Sequence, residues 1–314
     1  MDEILLSNFM VFSDLVASEV YDLWVGDEAW DVDYFLHENP ELKRAPYVWL
    51  TDFVGYLPMP DGGDREASLT ADYNLEMIEQ VGRFPRLRDR AVFVGNPGDV
   101  VPDSFGAGLP PIRDWVEQHY QFAGYISGYD PPDAAGRAAI RAELGYRPDE
   151  KVCLVTVGGS GVGSDLLRRA VAAYPAAKQL VPALRMIVVA GPRIDPATLP
   201  AHDGLEVHGY VHDLYRQLAV SDLAVVQGGL TTTMELTAAE RPFIYVPLRH
   251  HFEQNFHVRH RLSRYGAGRC LEYRDTGPDS LAQAMAEEVG RRVSYRPVET
   301  DGAARAAAYL AEPI

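Results

Sequence analysis

Along the second half of the chain, near-continuous apolar runs alternate with segments whose apolar positions recur at helical spacing. The runs are KVCLVTV, RMIVVAG, LEVHGYV, DLAVVQG and FIYVPL. Helical spacing marks residues 165–173, 212–219, 233–239, 255–264 and 279–293. Strands that are apolar on both faces belong to a parallel sheet covered by helices on either side. The first half repeats the alternation more loosely. Leu23 to Asp27, Pro46 to Phe53 and Ala91 to Pro97 read as strands, with helical patterns at 4–16, at VDYFL and at 71–81. The last strand is stopped by Gly95-Asn96-Pro97.

A Gly, Asp and Pro cluster in FAGYISGYDPP marks a linker. The pattern predicts an α/β chain with two parallel-sheet regions. Residues 1–128 form the first, 129–150 a linker and lead-in helix, 151–293 the second, and 294–314 a tail helix that returns to the first. The opening is unusual. In a doubly wound domain a strand and a Gly-rich turn precede a helix such as 4–16, and neither is present. The first region is therefore expected to be incomplete.

Length and charge narrow the partners. A chain of 314 residues fits about two domains. A formal net charge of -16 disfavours nucleic acid and anionic membrane, because tracking phosphates needs clustered Lys and Arg. A small anion is still allowed, since helix N-termini bind phosphate through backbone N–H groups. Both cysteines, Cys153 and Cys270, sit in apolar strand-like runs and read as core residues rather than a disulfide. No run approaches the ~20 apolar residues of a membrane span, and MDEILLSNF lacks a basic leader region. The expected location is cytoplasmic, with peripheral membrane attachment left open.

Three segments carry candidate chemistry. In VTVGGSGVGSDLL a strand ends in a Gly-rich turn that opens a helix, which places backbone N–H groups and a partial positive charge where a phosphate would sit. A dinucleotide fingerprint is a poor fit, because the next strand ends in Gly191-Pro192-Arg193 without the acid a ribose needs. In VVQGGLTTTMELTAAERPFIYVPL a second strand ends in Gly228-Gly229, with a helix starting near Thr232. Glu235 lies about one turn beyond Thr232, and a capping box is the competing explanation for that pair. In VPLRHHFEQNFHVRHRL, Glu253, Gln254 and Asn255 offer acceptors and amide donors suited to sugar hydroxyls. The histidines there lack metal-ligand spacing, so no metal site is expected.

The run GGxxTxxE, followed by a strand ending in Pro and then Glu-Gln-Asn, resembles the donor signature of GT-B glycosyltransferases. It is most similar to the branch holding the N-acetylglucosaminyltransferase of lipid II synthesis and the macrolide and plant UDP-glycosyltransferases. The resemblance covers about Lys151 to Arg291. It implies a GT-B fold, with two Rossmann-like domains facing a cleft. By position it implies that Gly159, Ser160 and Gly161, with Gly228, Gly229, Thr231 and Thr232, face the diphosphate of a UDP-sugar. Val211 would meet the uracil through its backbone, Glu235 the ribose, and Glu253, Gln254 and Asn255 the sugar. Gln227 departs from the pattern, standing where many members have His. In the first half, Gly95-Asn96-Pro97 resembles a turn that ends the first domain of the lipid II enzyme.

The implied reaction is an inverting, metal-independent transfer of a sugar to an acceptor hydroxyl, with UDP-sugar as substrate and no cofactor. The acceptor, small or lipid-linked, is not specified. A base must take the hydroxyl proton. Asp27, Glu28 and Asp52 lie at the ends of first-half strands, and Asp52 is the candidate taken. Two other readings stay open. One is a non-catalytic or truncated nucleotide-sugar-binding subunit that works with a second chain. The other is a GT-B-fold epimerase or hydrolase of UDP-sugars.

Overall fold

Two parallel sheets organise the chain, which a computed structural model describes over residues 2–159 and 161–312. Contacts divide it into two units, Met1–Gly128 with Glu299–Ile314, and Tyr129–Val298. The expected lead-in helix within 129–150 falls in the second unit, as do residues 294–298. Ser160 lies outside the described residues.

The first unit opens with helix α1 (Asp2–Ser18), followed by β1 (Trp24–Asp27), α2 (Trp30–Glu38), β2 (Tyr47–Thr51), α3 (Gly63–Arg83), β3 (Arg90–Phe93), α4 (Ile112–His119) and β4 (Gln121–Phe122). The strands pair in parallel in the order β1-β2-β3-β4. β2 is its buried centre, with Tyr47, Val48 and Trp49 almost wholly inaccessible. One ion pair holds the amino end of this sheet. Arg88 donates from Nε to Asp33 Oδ1 at 2.8 Å and from Nη2 to Oδ2. Burial alone would raise the Asp33 carboxyl, but the guanidinium outweighs it and holds the group down at about 2.

In the second unit, α5 (Ala134–Glu143) precedes β5 (Lys151–Thr156), α6 (Ser164–Leu180), β6 (Leu184–Val189), β7 (Leu205–His208), α7 (Leu214–Leu218), β8 (Leu223–Val226), α8 (Leu230–Ala238), β9 (Phe243–Tyr245), α9 (Arg259–Tyr265), β10 (Arg269–Cys270) and α10 (Pro278–Glu288). The order across the sheet is β7-β6-β5-β8-β9-β10, all parallel. β5 therefore has β6 on one side and β8 on the other, and the winding reverses between them. The apolar runs are explained by this sheet, since β5 and β8 are buried on both faces apart from Lys151. α6 and α10 cover one face. Leu166, Leu167, Ala170, Val171 and Tyr174 pack with Leu281, Ala282 and Met285 over Cys153, Val155, Met186 and Val188. The final helix, α11 (Gly302–Ala311), belongs to the first unit, where Ala306 joins Val48, Val92 and Ala123.

Several boundaries differ from the pattern-based expectation. α6 continues through Pro175 to Leu180. The ring removes one backbone donor, but Ala173, Tyr174 and Ala177 are anchored in the core on either side of it. α8 begins at Leu230, with Gly229 as its N-cap and no side-chain cap. Thr231 and Thr232 thus lie inside its first turn. Glu235 is the sixth helical residue, too far along for a capping box, so that explanation of the Thr–Glu pair is removed.

Candidate functional site

In an open parallel sheet, ligands bind at the carboxyl edge where the winding reverses. In the second unit that point lies between β5 and β8, and both glycine turns open there. After β5 the chain passes Gly158, with a positive φ of 49°, and Gly161, at 84°, before α6 starts. Gly163 sits so close to the strand that a Cβ on it would lie 2.2 Å from Val157 Cβ. Gly191, after β6, closes the other side, and a Cβ there would lie 2.6 Å from Gly158 O. At these two glycines there is no room for a side chain, and the backbone itself forms the surface. α6 has Gly163 as N-cap and no side-chain cap. Its first N–H groups and its dipole face outward, the arrangement that attracts anions.

The turn after β8 repeats the design. Gly228 adopts φ of 100°, and a Cβ on Gly229 would meet nothing within 4 Å. Thr233 turns its hydroxyl back onto Gly229 O at 2.9 Å and Leu230 O at 3.0 Å, so it caps nothing. Thr231 is exposed and Thr232 half-buried. Glu235 is half-buried, and burial alone pushes its carboxyl up to about 7. Among the described residues it has no cation or donor, and a desolvated acid left so is costly unless a donor reaches it.

The loop after β7 places Val211 half-buried between Tyr210, which is exposed, and His212. Its backbone N–H and carbonyl make no hydrogen bond among the described residues. The loop after β9 is different. Gln254 is buried and accepts from Leu248 N at 2.9 Å. Asn255 donates from Nδ2 to Leu248 O at 2.7 Å and His251 O at 2.9 Å. Both side chains tie down the loop that leads into a π-helical turn over Glu253–Val258. Such turns are rare and recur at functional sites. Of the groups expected to face a sugar, Gln254 Oε1 and Asn255 Nδ2 are spent on the loop backbone. Among the described residues, no group of three His, Cys, Asp or Glu is gathered closely enough to hold a metal.

Three acids stand at the carboxyl edge of the first unit's sheet. Glu28 follows β1 directly and carries a positive φ of 50°, rare for a residue with a side chain. Its Oε1 accepts from Thr51 Oγ1 at 2.9 Å and from Asp52 N at 3.1 Å. The Asp52 backbone thus serves Glu28. Burial raises the Glu28 carboxyl; the Asp52 N–H and the Thr51 hydroxyl only partly offset it, and Asp27 adds to the rise. Aromatic rings lie alongside. Trp30 meets Phe53 at 5.9 Å and Tyr56 at 6.5 Å between centroids, and Tyr56 meets Tyr73 at 6.5 Å. The Tyr56 phenol is raised first by burial and then by Glu28. Asn74, buried in α3, fixes this loop through Tyr56 N at 2.8 Å and Tyr56 O at 2.9 Å.

The two sheets and the glycine-lined switch point are those of a GT-B α/β fold. UGT71G1 of Medicago truncatula, in complex with UDP-glucose, has this fold. It superposes with a TM-score of 0.55 at 12% identity, covering 90% of this chain and 71% of that one. Residues 152–309 match the glycosyltransferase family 28 C-terminal domain, and the chain belongs to that family.

An uncharacterized glycosyltransferase of Methanopyrus kandleri is 27% identical over 197 residues, 62% of this chain and 55% of that protein. The UDP-N-acetylglucosamine–N-acetylmuramyl-(pentapeptide) pyrophosphoryl-undecaprenol N-acetylglucosamine transferase of Mycolicibacterium smegmatis is 38% identical over 120 residues. That match covers 37% of this chain and 30% of the relative. The chain thus spans about half or less of the length of these curated relatives. Among the described residues, no helix is long and apolar enough to cross a membrane.

Proposed function

We propose that this glycosyltransferase takes a UDP-sugar at the carboxyl edge of the second unit and transfers the sugar with inversion to an acceptor hydroxyl, without a metal. The observation that carries the reading is the pair of uncapped helix N-termini, α6 and α8, on either side of the strand where the winding reverses. Their N–H groups would hold the diphosphate and stabilise its charge as the sugar leaves. Gly159, Gly161, Gly228, Gly229, Thr231 and Thr232 line the two turns. Glu235, which has no side-chain partner among the described residues, would accept from the ribose hydroxyls. Val211 would pair with the base through its open backbone groups. Similarity to transferases named for UDP-N-acetylglucosamine supports that donor class.

For the base we propose Glu28 in place of Asp52. The Glu28 carboxyl is fixed through one oxygen, and its raised affinity for protons suits it to take one from a hydroxyl. The aromatic rings beside it would offer an acceptor an apolar wall.

Calorimetry with UDP and ADP tests the donor assignment. UDP is expected to bind clearly more tightly, because the Val211 segment is read as a uracil site. Equal binding of the two, or binding of neither, removes the assignment.

A further inference from the structure

Exposed apolar surface gathers on the first helix and strand. On α1, Ile4, Val11 and Leu15 recur at helical spacing on one face and are 67%, 71% and 47% exposed. A different side of the helix faces the core, where Phe9 stacks on Phe35 and Phe12 meets Trp24 edge to face at 5.0 Å. α1 therefore packs on the Trp24 side of β1. Side chains alternate across a strand, so Val25, which is exposed, points to the opposite face.

Between these two apolar surfaces the backbone is open. β1 is an end strand, paired with β2 alone among the described residues. Trp24 N and Glu28 N donate inward, to Pro46 O and Leu50 O. By alternation Val25 and Asp27 turn their N–H and carbonyl groups outward, away from β2. A bilayer or a lone helix would cover one face of such an edge, whereas an added strand pairs its backbone and reaches both faces. Charge then selects among strands. Residues 1–42 hold eleven Asp or Glu, and no Lys or Arg precedes Lys43. A second copy would set these acids against one another; a cationic strand would meet opposite charge along the whole edge.

We propose that the β1 edge, with the exposed face of α1, docks a separate polypeptide that adds a strand bearing Lys or Arg beside β1 and lays apolar side chains on both faces. The surface lies in the first unit and uses no residue of the proposed donor site, so it is tested independently of that reading.

The probe is a synthetic peptide of about ten residues alternating Val and Lys, with a Val–Glu peptide as control. Each is titrated against the full chain by fluorescence anisotropy. The Val–Lys peptide is expected to bind with a Kd on the order of 10 μM and to slow amide exchange at Val25 and Asp27, read by NMR. The Val–Glu peptide should do neither. Val25→Pro removes an outward N–H and leaves the bonds to β2, a change that edge strands tolerate. It should weaken the Val–Lys peptide about 3- to 10-fold, as for one lost hydrogen bond. Val11→Lys, on the exposed helix face, should weaken it at least as much and leave the melting temperature in place. If Val25→Pro fails to fold, Val11→Lys carries the test.

Absence of binding by the Val–Lys peptide up to about 1 mM overturns the proposal. So does binding that neither variant weakens or that leaves the Val25 and Asp27 amides unprotected, which would be diffuse attraction to the net charge. A dimer in sedimentation that Val25→Pro dissolves gives the surface to a second copy. Flotation with phosphatidylcholine vesicles that Val11→Lys abolishes gives it to a membrane. Either result overturns the proposal as well.

Discussion

The two sheets differ in how they order their strands, and the difference separates two kinds of chemistry. The second unit winds outward from β5 through β6 to β7 and then returns to the other side through β8. That reversal leaves a gap above β5 and β8 into which two helices point their N-termini. The donors there are backbone groups, made available by glycine. In the first unit the strands follow one another from β1 to β4 without a reversal. Its carboxyl edge carries side-chain acids, Asp27, Glu28 and Asp52, beside aromatic rings. One edge is suited to an anion and the other to accepting a proton. A transfer reaction needs both, and topology alone supplies only the first.

The comparison breaks most sharply at Glu28. Glu28→Gln is expected to slow transfer by about 10²–10⁴-fold while UDP affinity holds, since a general base contributes on that order. The measurement is passage of radiolabelled sugar from UDP-N-acetylglucosamine into acceptors of a cell extract, beside UDP calorimetry. Asp52→Asn should cost far less, because the Asp52 contact with Glu28 runs through its backbone. If Asp52→Asn matches Glu28→Gln, the assignment of the base reverts to Asp52.

At the opposite edge of the same sheet, Asp33→Asn leaves Arg88 buried without its counter-charge. Breaking such a pair is expected to cost about 3–5 kcal/mol in denaturant unfolding. UDP binding by the folded variant should be unaffected, and a large loss of UDP affinity would show the two units to be coupled.

Glu235 gives the smallest and most diagnostic effect. Glu235→Ala should weaken UDP by on the order of 1–3 kcal/mol. Its ligand-free melting temperature near pH 8 should not fall, since the acid is desolvated there without a partner. The sign of its pH dependence follows from the raised carboxyl, at about 7 in the fold against 4.5 unfolded. The native state binds the proton more tightly, so stability is fullest below about 4.5 and declines as pH rises through about 7. Glu28 is raised in the same direction and adds to that slope. Glu235→Gln should flatten the slope without abolishing it. Binding of UDP-N-acetylglucosamine should strengthen over the same interval, because the ionised carboxylate accepts from ribose hydroxyls more strongly than the protonated form. A slope unchanged by Glu235→Gln would assign the titration elsewhere.

Much of the second unit was legible from its chain. KVCLVTV and DLAVVQG are apolar at nearly every central position because β5 and β8 are covered on both faces, and the glycines after them announced the turns. The start of α8 was misplaced because three threonines invite a cap, whereas Gly229 takes that position through its backbone. The tie formed by Gln254 and Asn255 was hidden, since a polar loop reads the same whether it faces a ligand or its own carbonyls. In the first unit, α4 went unread although Ile112, Trp115 and Val116 fall on one helical face. Preference for Asp52 over Glu28 came from strand position alone. The proposal of Glu28 rests on its burial and on the donors to its Oε1, and both are properties of the folded neighbourhood.

The left-handed backbone at Glu28 has an evolutionary reading. Glycine adopts that conformation at little cost, whereas a side chain with a Cβ is disfavoured there by roughly 1–2 kcal/mol. A lineage selected only for a stable fold would drift toward glycine at this position. On the proposal that Glu28 is the base, that conformational cost is carried for the reaction rather than for the fit. Directed selection for heat resistance would be expected to discard it early, trading turnover for stability at a single codon.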